Sequence, residues 1–314
     1  EKISELLEKY KPQNRYNPNY LEAAYSFKDY IDDDLDTLLS KGYSFAKESD
    51  NPSWAEKSLL LLIESLLDKS KDYEKIKREF DDFENLYNPS YTYLFEKARI
   101  LSTRFGQIDE AISILKDIEY ESLNKDRLLI RLYLIKDKYE DAKKIVDNRS
   151  SDINLLYNFY SEAGQYEKAC EVIEEYWKNN SIEISDFVTY SFAMLKLKKY
   201  NDIYMQLKEY YAKPDTCLAE IAINYFIAEA HYNKTKPDER KIKNKILDKK
   251  ELYDNDVIAA AYALINYKKE AFDYLRKAIN ENTLLKYSVR EWPAFEQYFD
   301  DPQFKKIVGL TNDL

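Results

Sequence analysis

Histidine and cysteine are the side chains from which enzymes most often build a nucleophile and its base, and this chain has few of them. It contains one histidine, His231, and two cysteines, Cys170 and Cys217. Cys217 and His231 lie fourteen residues apart on one predicted helix, where a rise of about 1.5 Å per residue separates them by roughly 21 Å. No local Cys–His or Ser–His pair follows, and neither cysteine has a spacing typical of metal or redox sites. We interpret all three as structural residues.

Other candidate chemistry is equally sparse. Asp32, Asp33 and Asp34 offer consecutive oxygen ligands, but the glycine and the distal glutamate of a calcium loop are missing. Acidic residues at a helix start are explained by the helix dipole. The four glycines form no phosphate-binding loop. The sequence therefore predicts no metal, no cofactor and no enzymatic activity. Carboxylates gathered from several helices remain the catalytic alternative.

Charge and hydropathy exclude two further classes. The net charge of −10 disfavours binding to a nucleic-acid backbone. The Lys-rich stretches Lys196–Lys199 and Lys234–Lys250 do not change this prediction, because the second contains Asp238, Glu239 and Asp248. No apolar run reaches the roughly 18 residues that a membrane span needs. We expect a cytoplasmic protein that binds neither nucleic acid nor membrane.

The chain is organised by a recurring helical pattern. A small or apolar residue follows each turn, and a larger apolar residue stands four positions later on the same helix face. The pairs are Ala111 with Leu115, Ala142 with Val146, Ala169 with Ile173, Ile203 with Leu207, and Ala271 with Leu275. A period of about 34 residues built from two helices is typical of a helical solenoid. The composition also favours an all-α fold, because the chain has only four glycines and eight prolines while 45% of its residues are apolar.

The pattern divides the chain into three parts. Residues 1–16 are predicted to form one short helix, residues 17–280 the repeat array and residues 281–314 a terminal segment. Within the array, the repeat at about 217–250 is irregular. We expect the Lys-rich insert Asn233–Lys245 to disturb its second helix.

Local signals mark helix starts and one early helix end. The pairs Asn17-Pro18, Asn51-Pro52 and Asn88-Pro89 are predicted to open successive helical hairpins, because proline suits the first turn of a helix. A third apolar residue, three positions after the second, completes each triplet except the one that begins at Ala142. There Arg149 stands in its place, which predicts that this helix ends early.

This layout resembles the tetratricopeptide repeat, in which a small residue lies at the closest helix contact and apolar residues follow four and seven positions later. The resemblance covers about residues 17–280 and implies a right-handed α-solenoid of about eight helix-turn-helix repeats. The segment Tyr287–Leu310, with Trp292, Phe295 and Phe304, resembles the helical cap that often closes such arrays in bacteria. Its aromatic residues suit a terminal unit that covers an exposed core face.

The resemblance also implies a binding site. In tetratricopeptide proteins the first helix of each pair lines a concave groove. The matching positions of this chain are Glu96 with Ile100, Arg127 with Arg131, Asn154 with Asn158, and Val188 with Phe192. Arginine binds carboxylates through two hydrogen bonds, and asparagine pairs with a peptide backbone in both directions. We expect Arg127, Arg131, Asn154 and Asn158 to bind a peptide beside an apolar wall of Val188 and Phe192. The alternative is a solvated face whose arginines pair with neighbouring acids.

The leading prediction is a non-enzymatic scaffold that holds an extended protein or peptide segment, acidic or ending in a free carboxylate. The alternative is a ligand-responsive regulatory domain that controls a fused or separate effector enzyme, with the irregular repeat as its hinge. The sequence names neither the partner nor the oligomeric state. Because the chain begins at Glu1 rather than at methionine, an effector domain or targeting segment upstream stays open.

Overall fold

The fold is all-α throughout the part of the chain that the computed structural model describes, residues 16–28, 34–69, 72–181, 183–212 and 218–310. Close packing divides the chain into two compact units, Glu1–Tyr120 and Glu121–Leu314. Each unit has its own cluster of buried apolar residues. Residues 1–15 of the predicted N-terminal helix and Cys217 lie outside the described residues.

The first unit consists of helices that pack in neighbouring pairs. In chain order the described helices are α1 (Pro18–Ser26), α2 (Leu35–Glu48), α3 (Pro52–Lys69), α4 (Tyr73–Leu86), α5 (Tyr91–Phe105) and α6 (Ile108–Asp117). Helix α2 packs along α3 and α5 along α6, while α3 also contacts α1, α4 and α5. The core between them contains the fully buried Leu39, Leu59 and Phe80.

Asparagine and serine caps explain where several of these helices begin. Asn17 and Asn51 cap α1 and α3, with side-chain oxygens that accept from backbone amides at 2.9 and 3.1 Å. Proline follows each of them at the first helical position, as predicted. The third pair, Asn88-Pro89, lies just before α5, whose cap is Ser90 and whose Tyr93 amide donates to the Ser90 hydroxyl.

The second unit continues the pattern of paired helices. Its described α-helices are α7 (Leu123–Ile135), α8 (Tyr139–Asn148), α9 (Ile153–Glu162), α10 (Tyr166–Trp177), α11 (Ile184–Lys196), α12 (Tyr200–Tyr211), α13 (Ala219–Asn233), α14 (Glu239–Lys245), α15 (Asn255–Leu264), α16 (Lys268–Glu281), α17 (Leu285–Val289) and α18 (Pro302–Ile307). Two 3-10 segments, Leu247–Leu252 and Pro293–Tyr298, lie between them. The pairs α7 with α8, α9 with α10, α11 with α12, and α15 with α16 pack together.

The first helices of these pairs form a continuous row. Helix α7 contacts α9, α9 contacts α11, α11 contacts α13, and α13 contacts α15. The row therefore presents side chains from several repeats side by side, which is the arrangement that a shared binding site needs.

The positions at which the sequence pattern places a small or apolar residue after each turn are buried. In the second unit Ala142, Ala169, Ile203 and Ala271 are fully buried. The turn before each of them contains a residue in the left-handed region: Asp137 at φ 56°, Gly164 at 71°, Lys198 at 57° and Asn266 at 61°. Only one of these turn residues is glycine, so a glycine signature identifies only one of the turns.

Arg149 marks the early helix end that the sequence predicted. Helix α8 ends at Asn148, and Arg149 follows as its C-cap residue. The Arg149 guanidinium donates to Asp126 Oδ2 on α7 and to Glu121 Oε2, each at 3.0 Å. An ion pair between the helices thus replaces the apolar contact that other repeats make.

The stretch after α12 departs from the pairs of helices on either side of it. Helix α13 ends at Asn233, and Lys234 follows in the left-handed region at φ 54°. The residues that follow form the short α14 and then a 3-10 segment, where Lys249 leaves helical geometry. Since α14 is so short, α13 packs mainly on α12.

The C-terminal segment packs back onto the last regular pair. Phe295 and Phe304 are fully buried, and the 3-10 segment Pro293–Tyr298 contacts both α13 and α15. The Tyr298 hydroxyl donates to Asn266 Oδ1 at 2.9 Å. The segment therefore covers the end of this unit's core with the aromatic residues that the sequence singled out.

Candidate functional site

A cavity of about 550 Å³ opens in the second unit between the row of first helices and the C-terminal segment. Helices α7, α9, α10, α11 and α13 contribute to its lining, and so do five residues of the C-terminal segment: Tyr287, Ser288, Arg290, Glu291 and Trp292. Its charged lining residues are Arg131, Asp137, Glu162, Glu220, Arg290 and Glu291. The volume is typical of a site for a small molecule or for a few residues of a peptide.

The structure brings three of the six predicted binding residues into this cavity. Arg131 of α7 lines it together with Val188 and Phe192 of α11. Arg127 and Asn154 are exposed and Asn158 is half-buried, but these three do not line the cavity. In the first unit, the predicted groove position Ile100 is only 1% exposed and belongs to the core.

Arg131 is held by the C-terminal segment. Its Nη2 donates to Ser288 Oγ at 3.1 Å, although the two residues are 157 positions apart in the chain. The positive charge of Arg131 also lowers the pKa of the Glu162 carboxyl group, but burial of that group raises the pKa by more. A guanidinium has five N–H donors, so one bond to Ser288 leaves most of its donors for other partners.

Glu291 ties the C-terminal segment to two helices. Its carboxylate forms an ion pair with Lys196 of α11 at 3.3 Å and accepts from the Tyr166 hydroxyl of α10. Lys196 also donates to the Glu291 backbone carbonyl at 3.0 Å. Burial, together with Glu291, raises the pKa of Tyr166, so this hydroxyl remains a donor at neutral pH. These contacts fix one wall of the cavity.

Arg290 is anchored within the C-terminal segment itself. Its guanidinium donates to the carbonyl of Val308 at 2.7 and 3.0 Å and to that of Gly309 at 3.1 Å. It also lies over the Tyr287 ring, 4.7 Å from the centroid. Its position is therefore set by protein partners.

Asn224 is the most deeply buried polar side chain named at this site. It is 3% exposed and lines the cavity from α13. Its amide nitrogen donates to Ser191 Oγ at 2.8 Å and to the Val188 carbonyl at 3.4 Å. These bonds fix the orientation of the amide and leave its carbonyl oxygen as an acceptor.

Glu162 is the carboxylate whose protonation the surroundings change most clearly. The residue as a whole is exposed. Protein atoms nevertheless surround its carboxyl group, and this desolvation raises the carboxyl pKa. Arg131 opposes this shift. A carboxylate in this state is stabilised by any further cation that approaches it.

The residues considered first for chemistry lie elsewhere. His231 is exposed on α13, and its ring stacks on Tyr200 with the ring centroids 3.8 Å apart. Cys170 is buried, and burial with help from Glu174 raises its thiol pKa to about 11. Among the described residues, no group of His, Cys, Asp and Glu is arranged to hold a metal ion.

No protein family profile matches the chain, and a search of curated proteins found no match. Within the described ranges, none of the helices combines the length and apolarity that crossing a membrane requires.

The sequence missed the part of the site that comes from distant segments. The C-terminal residues Tyr287, Ser288 and Trp292 meet the row of first helices only after folding. Glu162 and Asn224 carry no local signal beyond their places on predicted first helices. The usable signal was the set of groove positions that the resemblance implies, because it included Arg131, Val188 and Phe192.

Proposed function

We propose that this protein is a non-catalytic, tetratricopeptide-like binding module that holds an extended segment of a protein or peptide partner. The observation that supports it most is the 550 Å³ cavity, which lies on the row of first helices and contains three residues predicted for ligand contact. The paired helices and the buried small-residue positions support the resemblance on which that prediction depends.

The charge of the segment is a separate question. The sequence predicted an acidic segment or a free C-terminal carboxylate, on the strength of Arg127, Arg131, Asn154 and Asn158. Of these only Arg131 lines the cavity. The acidic preference stays a prediction, and peptides of both signs belong in any test.

Filling the cavity tests the proposal. Ser288 is exposed and lines the cavity, so Ser288→Trp should block it without disturbing the core. Ser151→Trp makes the same change at an exposed position outside the cavity. Peptides are first selected from a displayed library for binding to the parent protein. They should bind the Ser151→Trp variant as tightly as the parent and should not bind the Ser288→Trp variant. Circular dichroism checks that both variants are folded. Equal binding to both variants would place the ligand elsewhere and refute the proposal.

A second candidate is a regulatory domain whose ligand moves the C-terminal segment. It is favoured by the bonds that this segment makes beside the cavity, Arg131 with Ser288 and Lys196 with Glu291. A ligand that competes for either cation would loosen residues 285–298. Hydrogen exchange in that range, measured with and without a selected peptide, should then increase. Unchanged or slower exchange would favour the passive module.

A further inference from the structure

We infer that the cavity binds a cationic group on an apolar stem, such as the side chain of a lysine or arginine in the bound segment. The inference rests on the proposed function, because it names the chemistry that the same cavity selects. Its sign is opposite to that of the acidic segment predicted from the sequence. The charges, the environment of the carboxylates and the walls of the cavity each support it.

The charge balance of the lining is negative. Carboxylates outnumber guanidiniums: Asp137, Glu162, Glu220 and Glu291 face Arg131 and Arg290. Both guanidiniums already have partners, since Arg290 donates to two backbone carbonyls and Arg131 donates to Ser288. An incoming carboxylate would therefore meet a lining with a net negative charge, in which Arg131 is the guanidinium with N–H donors left to offer.

Three of the four carboxylates lack an ion pair. Glu291 is matched by Lys196, whereas Asp137, Glu162 and Glu220 form no ion pair with any residue in the described ranges. Arg131 influences Glu162 only from a distance. All three are exposed residues, so salt should screen their attraction for a cation. A ligand ammonium or guanidinium is the group that these carboxylates lack.

The walls fit the stem that carries such a group. The Tyr166 and Phe192 rings meet edge to face with centroids 6.1 Å apart, and Val188 and Trp292 line the same cavity. Lysine and arginine bury their methylene stems along apolar surfaces of this kind while the charged end meets polar groups. A cation within about 6 Å of an aromatic face gains a further attraction.

Asn224 adds a fixed acceptor among these walls. Its amide nitrogen is engaged by Ser191 and Val188, and its carbonyl oxygen can accept. An ammonium has three donors and no acceptor, so carboxylates and one amide oxygen match its needs. A carboxylate ligand would gain nothing from this oxygen.

Titration calorimetry with matched peptides tests the inference. The probes are capped pentapeptides Ala-Leu-X-Leu-Ala with lysine, norleucine or glutamate at X, at low and high salt. A single charge-assisted contact should make the lysine peptide bind about tenfold tighter than the norleucine peptide. The glutamate peptide should bind most weakly. The preference for lysine should shrink as salt rises. Free N-acetyl-lysine amide separates a peptide requirement from binding of the cation alone.

Charge-removing variants locate the effect. Glu162→Gln combined with Glu220→Gln should abolish most of the lysine preference. Glu167→Gln combined with Glu171→Gln removes the same charge from exposed positions of α10 outside the cavity and should preserve it. Equal lysine preference in both double variants would overturn the assignment of the cation to this cavity.

The peptide outcomes separate the two proposals. Tightest binding of the glutamate peptide would overturn the cationic inference and support the acidic prediction. Equal binding of all three peptides would refute the inference and leave the segment-binding function standing. If N-acetyl-lysine amide binds and none of the three peptides does, the cation site is supported and the segment-binding function is refuted. Absence of binding by every probe would refute both.

Discussion

Replacing Arg149 with leucine sets two structural effects against each other. The leucine would complete the apolar triplet of Ala142 and Val146 that the repeat pattern favours. It would also remove the ion pair that Arg149 makes with Asp126 at 3.0 Å. Asp126 is only 7% exposed, so without Arg149 its carboxylate would be buried and unmatched. We expect the loss of the ion pair to dominate.

The size of the loss follows from how buried the two partners are. Removing one member of a buried ion pair costs about 3–5 kcal/mol of stability. The Arg149 side chain is 30% exposed, which places the expected cost at the lower end, about 3 kcal/mol. The second partner, Glu121, is 80% exposed and contributes little. In a unit of this size each kcal/mol lowers the melting temperature by about 2–4 °C, so Arg149→Leu should melt about 6–12 °C lower.

Thermal unfolding, monitored by circular dichroism, measures the stability of the parent protein, of Arg149→Leu and of a double variant. Asp126→Leu combined with Arg149→Leu should regain most of the loss, because apolar replacement of a whole buried pair is often neutral or stabilising. Arg276→Leu is the matched control, since Arg276 pairs with Asp273 at the surface and its loss should cost about 0.5 kcal/mol or less. If Arg149→Leu melts as high as the parent, Asp126 does not depend on this ion pair and the reasoning fails.

Three further substitutions test the packing, the turns and the cavity. Ala169→Phe should overpack a fully buried position and cost about 1–3 kcal/mol; an unchanged urea midpoint would contradict the assigned helix contact. Gly164→Ala should cost about 1 kcal/mol from backbone strain alone, because an added Cβ at φ 71° meets no atom within 4 Å; an unchanged melting temperature would count against that φ. Glu162 has a raised pKa, so its contribution to stability is present at low pH and is lost as pH rises. Glu162→Gln should therefore melt higher than the parent at pH 7 and equally below about pH 4, where both side chains are neutral; a lower melting temperature at pH 7 would show that attraction to Arg131 prevails.

Helix positions were predictable because burial imposes a period on the sequence. Apolar residues four and three positions apart share one helix face, and the predicted pairs Ala169 with Ile173 and Ile203 with Leu207 are buried on α10 and α12 of the structure. The turns were harder. Asp137, Lys198 and Asn266 adopt the left-handed conformation. Glycine at these positions would have indicated that conformation in the sequence. Their conformation is set by the packing of the two helices they join, and the sequence carries little sign of it.

The site was predictable to the extent that it is built from one repeated helix face. Arg131, Val188 and Phe192, which line the cavity, were named because the tetratricopeptide resemblance implies that their positions on the first helices face a groove. Arg127 lies four residues before Arg131 on α7, yet it does not reach the cavity. Spacing alone fixes the face of a helix and leaves open how far along it the cavity extends.

The extent of the cavity depends on the C-terminal segment as well as on the row of first helices. Ser288 and Glu291 bond to Arg131 and Lys196 across 157 and 95 positions of sequence. No local pattern encodes contacts of such separation, because each depends on the fold of everything between. The row of first helices supplies an apolar wall and carboxylates from different repeats, and the segment encloses them with Tyr287 and Trp292. A repeat array that ends in a different cap would keep the row and lose the enclosure. The lining of the cavity therefore combines residues from both parts, and the pattern of the helices alone does not reveal it.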